Sequence, residues 1–165
     1  MAKPFFKKVI VAVNGNQSSI HTAMYAIMMA RNYNITLKFV YVIDTATIKY
    51  LSMNKFIIAE EKTEFEEQLK IDGENCINYV VHLAKQKGVS PEQEVRQGGI
   101  FTEIIKAAEE FDADLILLGG NEAEVGKTGI KHAVLSRDQS EVLANSKCPV
   151  MIVQKPGIEE QFKIF

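Results

Sequence analysis

The residues best suited to chemistry in this sequence lie between Leu117 and Ser136, "LLGGNEAEVGKTGIKHAVLS". A hydrophobic run meets the pair Gly119-Gly120, and Gly126-Lys127-Thr128 follows. Glycine lets a backbone approach a phosphate closely, while lysine and hydroxyl side chains donate to its oxygens. The chemistry on offer is therefore phosphate binding at the end of a strand. A nucleoside-triphosphatase loop requires G-x-x-x-x-G-K-[ST]. Asn121 stands where its first glycine belongs, and Gly120 is one place early. That motif also follows the first strand of its domain, whereas this stretch follows the fourth. The three-glycine dinucleotide fingerprint fails too, because Asn14-Gly15-Asn16-Gln17 holds one glycine. Further donors stand nearby. Lys131 adds an ammonium and Ser136 a hydroxyl, and the Arg137 guanidinium either clamps a phosphate or fills its space. Glu122 and Glu124 would repel one if turned inward.

No catalytic constellation is legible. His21, His82 and His132 are scattered, and no G-x-S-x-G nucleophile elbow occurs. His82 falls on the surface of a helix and His132 in the glycine-containing loop. Asp44 ends a strand, where a carboxylate contacts a ribose or metal, or simply caps the next helix. Cys76 and Cys148 are far apart and form no metal-ligand spacing, so they read as reduced thiols of a cytoplasmic protein and exclude a zinc site.

These residues need a scaffold. "KKVIVAV", Lys7 to Val13, is a β-branched run stopped by Asn14-Gly15, which reads as a buried strand and a turn. Ser18 or Ser19 caps a helix carrying Ile20, Ala23, Met24, Ile27 and Met28 to about Asn32. "ITLKFVYVI", Ile35 to Ile43, is a second strand; Thr45 to Phe56 has no clear period and reads as loop or short helix. A long helix to about Lys87 places Phe65, Leu69, Cys76, Val80 and Leu83 on one face, interrupted by Gly73. Glu60, Glu61, Glu64, Glu66 and Glu67 near its start suit the helix dipole and read as a solvated face. Val89 to Gln97 is a third strand. Gly98-Gly99 then lead into a helix carrying Phe101, Ile104, Ile105, Ala108 and Phe111. Asp114 to Leu118 is a fourth strand, Asp138 to Asn145 a last helix, and Val150 to Val153 a fifth strand. Residues 156–165 read as a C-terminal tail with exposed apolar side chains.

Strands alternating with helices imply an α/β fold: one domain, 1–165, with an open parallel sheet and helices on both faces. Near-continuous apolar strands fit a sheet covered on both sides. Ligands of such sheets bind at the carboxyl ends of strands where the order reverses, so the loops after Val13, Ile43 and Leu118 are the places to look. The chain has 165 residues, 47% hydrophobic and 24% charged, with net charge -2. That balance excludes the basic surplus of a nucleic-acid protein. No apolar run is long enough for a membrane span, and no signal peptide is read.

Four segments together resemble the universal stress protein family, over about Phe6 to Lys155. "KKVIVAVNGNQSSIHTAMYAI" is similar to its first strand, turn and helix, and "LKFVYVID" to its second strand. "GGIFTEIIKAAEEFDADLILLGG" resembles its third helix and fourth strand. "SEVLANSKCPVMIV" resembles its closing helix, Cys-Pro turn and fifth strand. The resemblance implies a Rossmann-like five-stranded parallel sheet in the order 3-2-1-4-5. It also implies a homodimer, through the fifth strand at Val150 to Val153. One branch of that family binds ATP through G-x2-G-x9-G-[ST] after the fourth strand. Here the motif is a degraded copy. With nine residues between them, Gly126 is followed by Ser136 in place of the third glycine, Arg137 replaces Ser or Thr, and Ala123 replaces the first glycine. The family's adenine-side acid falls on Asn14. The nucleotide-binding residues the resemblance implies are Ala12, Asn14, Val42, Gly119, Gly120, Gly126, Lys127, Ser136, Arg137 and Gln139, holding ATP or another adenine nucleotide with Mg²⁺.

Three functions follow as expectations. The first is a stress-response regulatory protein that binds an adenine nucleotide and hydrolyses it slowly at most. The second is a dimeric interaction module of the same family, empty of nucleotide, whose apolar tail at Ile158, Phe162, Ile164 and Phe165 docks on a protein partner or on the other subunit. The third is an enzyme on the same fold, such as a nucleotidyl transferase. It lacks support, because Asn14 to Ser19 offers no phosphate-contacting signature.

Overall fold

The structure is a computed structural model; it describes residues 5–120, 123–125, 131–133 and 135–165, with side chains omitted at 123–125 and 131–133. The elements in chain order are β1 (Lys8–Val13), α1 (Gln17–Tyr33), β2 (Thr36–Asp44), α2 (Thr45–Met53) and α3 (Ala59–Gln86). There follow β3 (Glu92–Gly98), α4 (Ile100–Phe111), β4 (Leu115–Gly119), β5 (Ala123–Val125) and β6 (Lys131–Ala133). Helix α5 (Arg137–Asn145), β7 (Val150–Val153) and α6 (Ile158–Ile164) complete the chain. Five strands form one parallel sheet in the order β3-β2-β1-β4-β7, which is the 3-2-1-4-5 order expected from the sequence. A small antiparallel pair, β5-β6, lies within the stretch that sequence reading treated as one loop.

Alternation along the strands explains why they are apolar almost throughout. Val9, Val11 and Val13 pack in one cluster with α1 and α3, while Ile10 packs in another with α4. Leu115 and Leu117 likewise face the first cluster, and Ile116 and Leu118 the second. Both faces of β1 and β4 are thus out of water, as a parallel sheet requires. The polar strand is β3, at the sheet edge. There Arg96 pairs with Glu94 at 2.5 Å, Glu110 at 2.6 Å and Glu103 at 3.2 Å, and Lys38 pairs with Glu94 at 2.7 Å. Charged side chains on an edge strand discourage pairing with a second sheet.

Several local readings change. Thr45–Met53 is a helix, started by Asp44, whose carboxylate accepts from the Thr47 N–H at 3.0 Å and from its hydroxyl at 2.6 Å. Its apolar period is weak because Ile48 is its one buried residue. Phe65, placed on the buried face of α3, is half exposed, because packing of that helix on the core begins further along, at Leu69, with full burial from Gly73 and Cys76. Gly73 does not weaken α3 by accident. A Cβ there would stand 2.7 Å from the Tyr41 ring, so the ring of β2 lies flat against the bare helix backbone.

The C-terminal residues are not a free tail. Ile158 and Phe162 of α6 are buried in the α1 side of the core, at 2% and 5% exposure. Arg31 lies 5.2 Å from the Phe165 ring and Lys87 4.8 Å from the Phe162 ring. Only Ile164, at 88%, stands out in water among the four apolar residues expected to dock elsewhere. F162A is expected to destabilise the protein by ~3 kcal/mol, the usual cost of emptying a buried phenylalanine site, read as the shift of a urea unfolding midpoint.

The start of β1 is pinned to β4 by one carboxylate. Asp114 accepts from the backbone N–H groups of Lys7 and Lys8, each at 2.8 Å. Those two hydrogen bonds, the Lys8 one foremost, hold its carboxyl below the ordinary aspartate range. A carboxyl whose folded pKa is lowered contributes stability that is complete above its unfolded pKa and drains away as pH falls through the folded value. D114N is therefore expected to lower stability at neutral pH by on the order of 1 kcal/mol and to flatten the acid side of a stability-against-pH curve.

Candidate nucleotide pocket

Right-handed crossovers decide where a cavity can form. The β1-to-β2 crossover runs through α1, which packs with the first cluster, and the β4-to-β7 crossover runs through α5, whose Val142 packs with the second. At the carboxyl ends of β1 and β4 the chain therefore leaves towards opposite faces, and a crevice opens between them. A cavity of about 250 Å³ lies there. Its wall is apolar, from Ala12 of β1, Val40 and Val42 of β2, Ile100 and Ile104 of α4 and Val142 of α5. Its rim is polar, from Asn14, Asn16, Ser19, Ser136, Asp138 and Gln139.

The turn after β1 is held by short side chains. Asn16, rather than Ser18 or Ser19, caps α1: its side chain accepts from the Ser19 N–H at 2.8 Å. The Asn14 side-chain oxygen accepts from the Asn16 N–H at 3.0 Å, an Asx turn in which its amide NH₂ has no partner among the described residues. Ser19 is buried; its hydroxyl accepts from the Asn14 N–H and donates to the Asn16 carbonyl. Ser18 is turned the other way and donates to the Gly120 carbonyl.

The glycine pair answers first to this packing. A Cβ on Gly119 would meet the Ser18 backbone at 2.9 Å and its hydroxyl at 2.6 Å, and one on Gly120 would strike the Gln154 side chain. The end of β4 and the start of α1 touch backbone to backbone, which only glycine permits. Gly119 also lines the cavity, whereas Gly120 is buried behind it and is not part of the lining.

On the opposite side, Ser136 and Gln139 form a capping box at the start of α5. The Ser136 hydroxyl oxygen accepts from the Gln139 N–H at 3.1 Å, and the Gln139 side-chain oxygen accepts from the Ser136 N–H at 2.7 Å. The Gln139 amide also donates to the Gly119 carbonyl, so one side chain ties α5 to β4. Asp138 enters the lining beside it. Burial pushes the Asp138 carboxyl above its ordinary range and the nearby Asp44 charge adds to this, against an opposing hydrogen bond from the Phe101 N–H.

Of the residues sequence reading assigned to the site, Ala12, Asn14, Val42, Gly119, Ser136 and Gln139 meet at this cavity. Arg137 is exposed and is not among the residues lining the cavity. Gly126 and Lys127 lie outside the described residues. Asp44 is engaged in capping α2. Asn16, Ser19 and Asp138 were missed. Asp138 was legible only as a first-turn acid of its helix, and its inward turn depends on how α5 packs on α4.

Residues 5–154 match the universal stress protein family. The chain belongs to that family. It is 31% identical over 155 residues to Universal stress protein MJ0531 of Methanocaldococcus jannaschii, a match covering 93% of this chain and 85% of that one. Among solved structures, the universal stress protein from Archaeoglobus fulgidus in complex with dAMP superposes with a TM-score of 0.61 at 15% identity, covering 92% of this chain and 100% of the other. A universal stress protein family member from Arabidopsis thaliana with AMP bound gives a TM-score of 0.61 at 15% identity, covering 93% and 94%. At those identities the likeness is one of fold, and the fold is that of the universal stress proteins.

The backbone contact at Gly119 can be tested directly. G119A forces a methyl into the Ser18 backbone, so α1 and β4 must separate. The expected loss is roughly 1–3 kcal/mol of stability, as for other overpacked sites, measured by thermal or urea unfolding. G15A, where a Cβ would meet nothing but φ is positive, is the control for backbone strain without a clash.

Proposed function

We propose that this universal stress protein is a regulatory adenine-nucleotide binder, with its ligand in the cavity between the ends of β1 and β4. One observation carries the reading. The crevice expected of an open α/β sheet contains a narrow apolar slot bordered by hydrogen-bonding groups, which suits a planar base with a polar sugar. Ala12, Val40, Val42 and Val142 would pack the base, and the Asn14 amide NH₂ would donate to a ring nitrogen. Ser19, Ser136 and Asp138 border the side where the sugar would lie. The relatives of known structure that hold dAMP or AMP support the same ligand class.

No group among the described lining residues is arranged as a nucleophile with a partnered base, so the role proposed is binding rather than turnover. Assembly as a homodimer would use the outer edge of β7, which among the described residues pairs with β4 alone and carries Val150, Met151, Ile152 and Val153. Of the C-terminal apolar residues, Ile158 and Phe162 are spent on the chain's own core and are not available to a partner.

The test is the small-molecule content of the purified protein, released by denaturation and identified by chromatography with mass detection. An adenine nucleoside or nucleotide in the released fraction, or adenosine-family ligands binding on titration, is the expected result. An empty protein that binds none of them up to millimolar concentration would leave the nucleotide-free interaction module as the better reading.

A further inference from the structure

Accepting the cavity as an adenine site, the described groups on its α5 side are built against a long anionic tail. Three features bear on this. Asp138 is the one formally charged residue among the described lining residues, and its charge is negative. Two of the backbone N–H groups that the start of α5 could offer an anion, those of Ser136 and Gln139, are already bonded within the capping box. The Gln139 side chain then crosses from α5 to the Gly119 carbonyl, spanning the gap between the end of β4 and the helix start. A second carboxylate, Asp44, adds to the negative charge acting on Asp138, as does Glu141, and among the described residues Arg137 opposes them.

We infer that the pocket selects an adenine nucleoside or its monophosphate over the triphosphate, with Asp138 as the specificity-determining residue that accepts from the ribose hydroxyls and repels the β- and γ-phosphates. An aspartate carboxylate has two oxygens and about four acceptor positions. Those positions suit vicinal hydroxyls, which are donors of matching spacing. The same carboxylate faces a phosphate chain with like charge in a partly desolvated crevice, where repulsion is far stronger than in water. Gln139 acts as a steric and hydrogen-bonding stop, because a phosphate could take the Ser136 N–H only by displacing its amide oxygen. The ligand reported by this protein would then be the low-energy end of the adenylate series, the species that accumulates when phosphoryl groups have been spent.

The experiment is calorimetric titration of the full chain with adenosine, AMP and ATP, the last with and without Mg²⁺, repeated on D138N and Q139S. Asparagine keeps the size of Asp138 and removes its charge. Serine at 139 keeps a small polar side chain and clears the gap to Gly119. Circular dichroism and melting of each variant establish that it is folded. Adenosine or AMP is expected to bind at least ten-fold tighter than ATP. D138N should narrow that ratio several-fold by strengthening ATP and weakening adenosine, and Q139S should strengthen ATP alone. ATP binding as tightly as adenosine or AMP, or a ratio unmoved in both folded variants, would overturn the inference while leaving adenine binding intact. Binding of none of the three would overturn the adenine reading and this inference with it.

Discussion

Everything described here depends on the place of β1 in the middle of the sheet. It pairs with β2 on one side and β4 on the other, over registers that run Lys8 with Thr36 and Val9 with Leu115. A right-handed crossover from β1 to its β2 neighbour puts α1 on one face, and the crossover from β4 to β7 puts α5 on the other. The two exits diverge, and the chain cannot close the gap at their carboxyl ends with regular structure. The crevice follows from connectivity alone. Its chemistry comes from the few residues that end each strand.

Those ends are held by short polar side chains. Asn14, Asn16 and Ser19 fold the turn after β1 into a closed set of hydrogen bonds. Ser18 and Gly119 bring α1 against β4, and Gln139 brings α5 against the same strand end. The lining is therefore preorganised before any ligand arrives, which reduces the ordering cost of binding. The same economy limits what can bind. A hydrogen-bond donor that caps a helix is not free for a phosphate.

Much of the architecture was legible because its causes are local. Strands covered on both faces read as apolar runs, and Asn14-Gly15, Gly88 and the Cys148-Pro149 turn mark where elements stop. The short helix α2 was harder, because its start lies in the Asp44 side chain and its apolar face is almost confined to Ile48. The docking of α6 was illegible for a different reason: Ile158 and Phe162 look like exposed apolar residues until α1 is known to lie beneath them. The site divides the same way. Ala12, Asn14, Val42, Gly119, Ser136 and Gln139 end or begin elements, so a family resemblance could carry them over one by one. Asp138 enters the cavity through the rotation of α5 about its axis, and that rotation is fixed by packing of Val142 against the α4 side of the core. The glycine pair was legible as a signal, but its first cause is helix–strand contact rather than phosphate.

The most direct test of the central claim, that the crevice between β1 and β4 is the ligand site, is a map of backbone amide shifts by NMR on addition of adenosine or AMP. The account predicts that the perturbed amides cluster at Asn14, Asn16, Ser19, Gly119, Ser136 and Gln139, with Val42 following from the base side. Perturbations centred elsewhere, on the α2–α3 corner or along β7, with these amides unmoved, would contradict it.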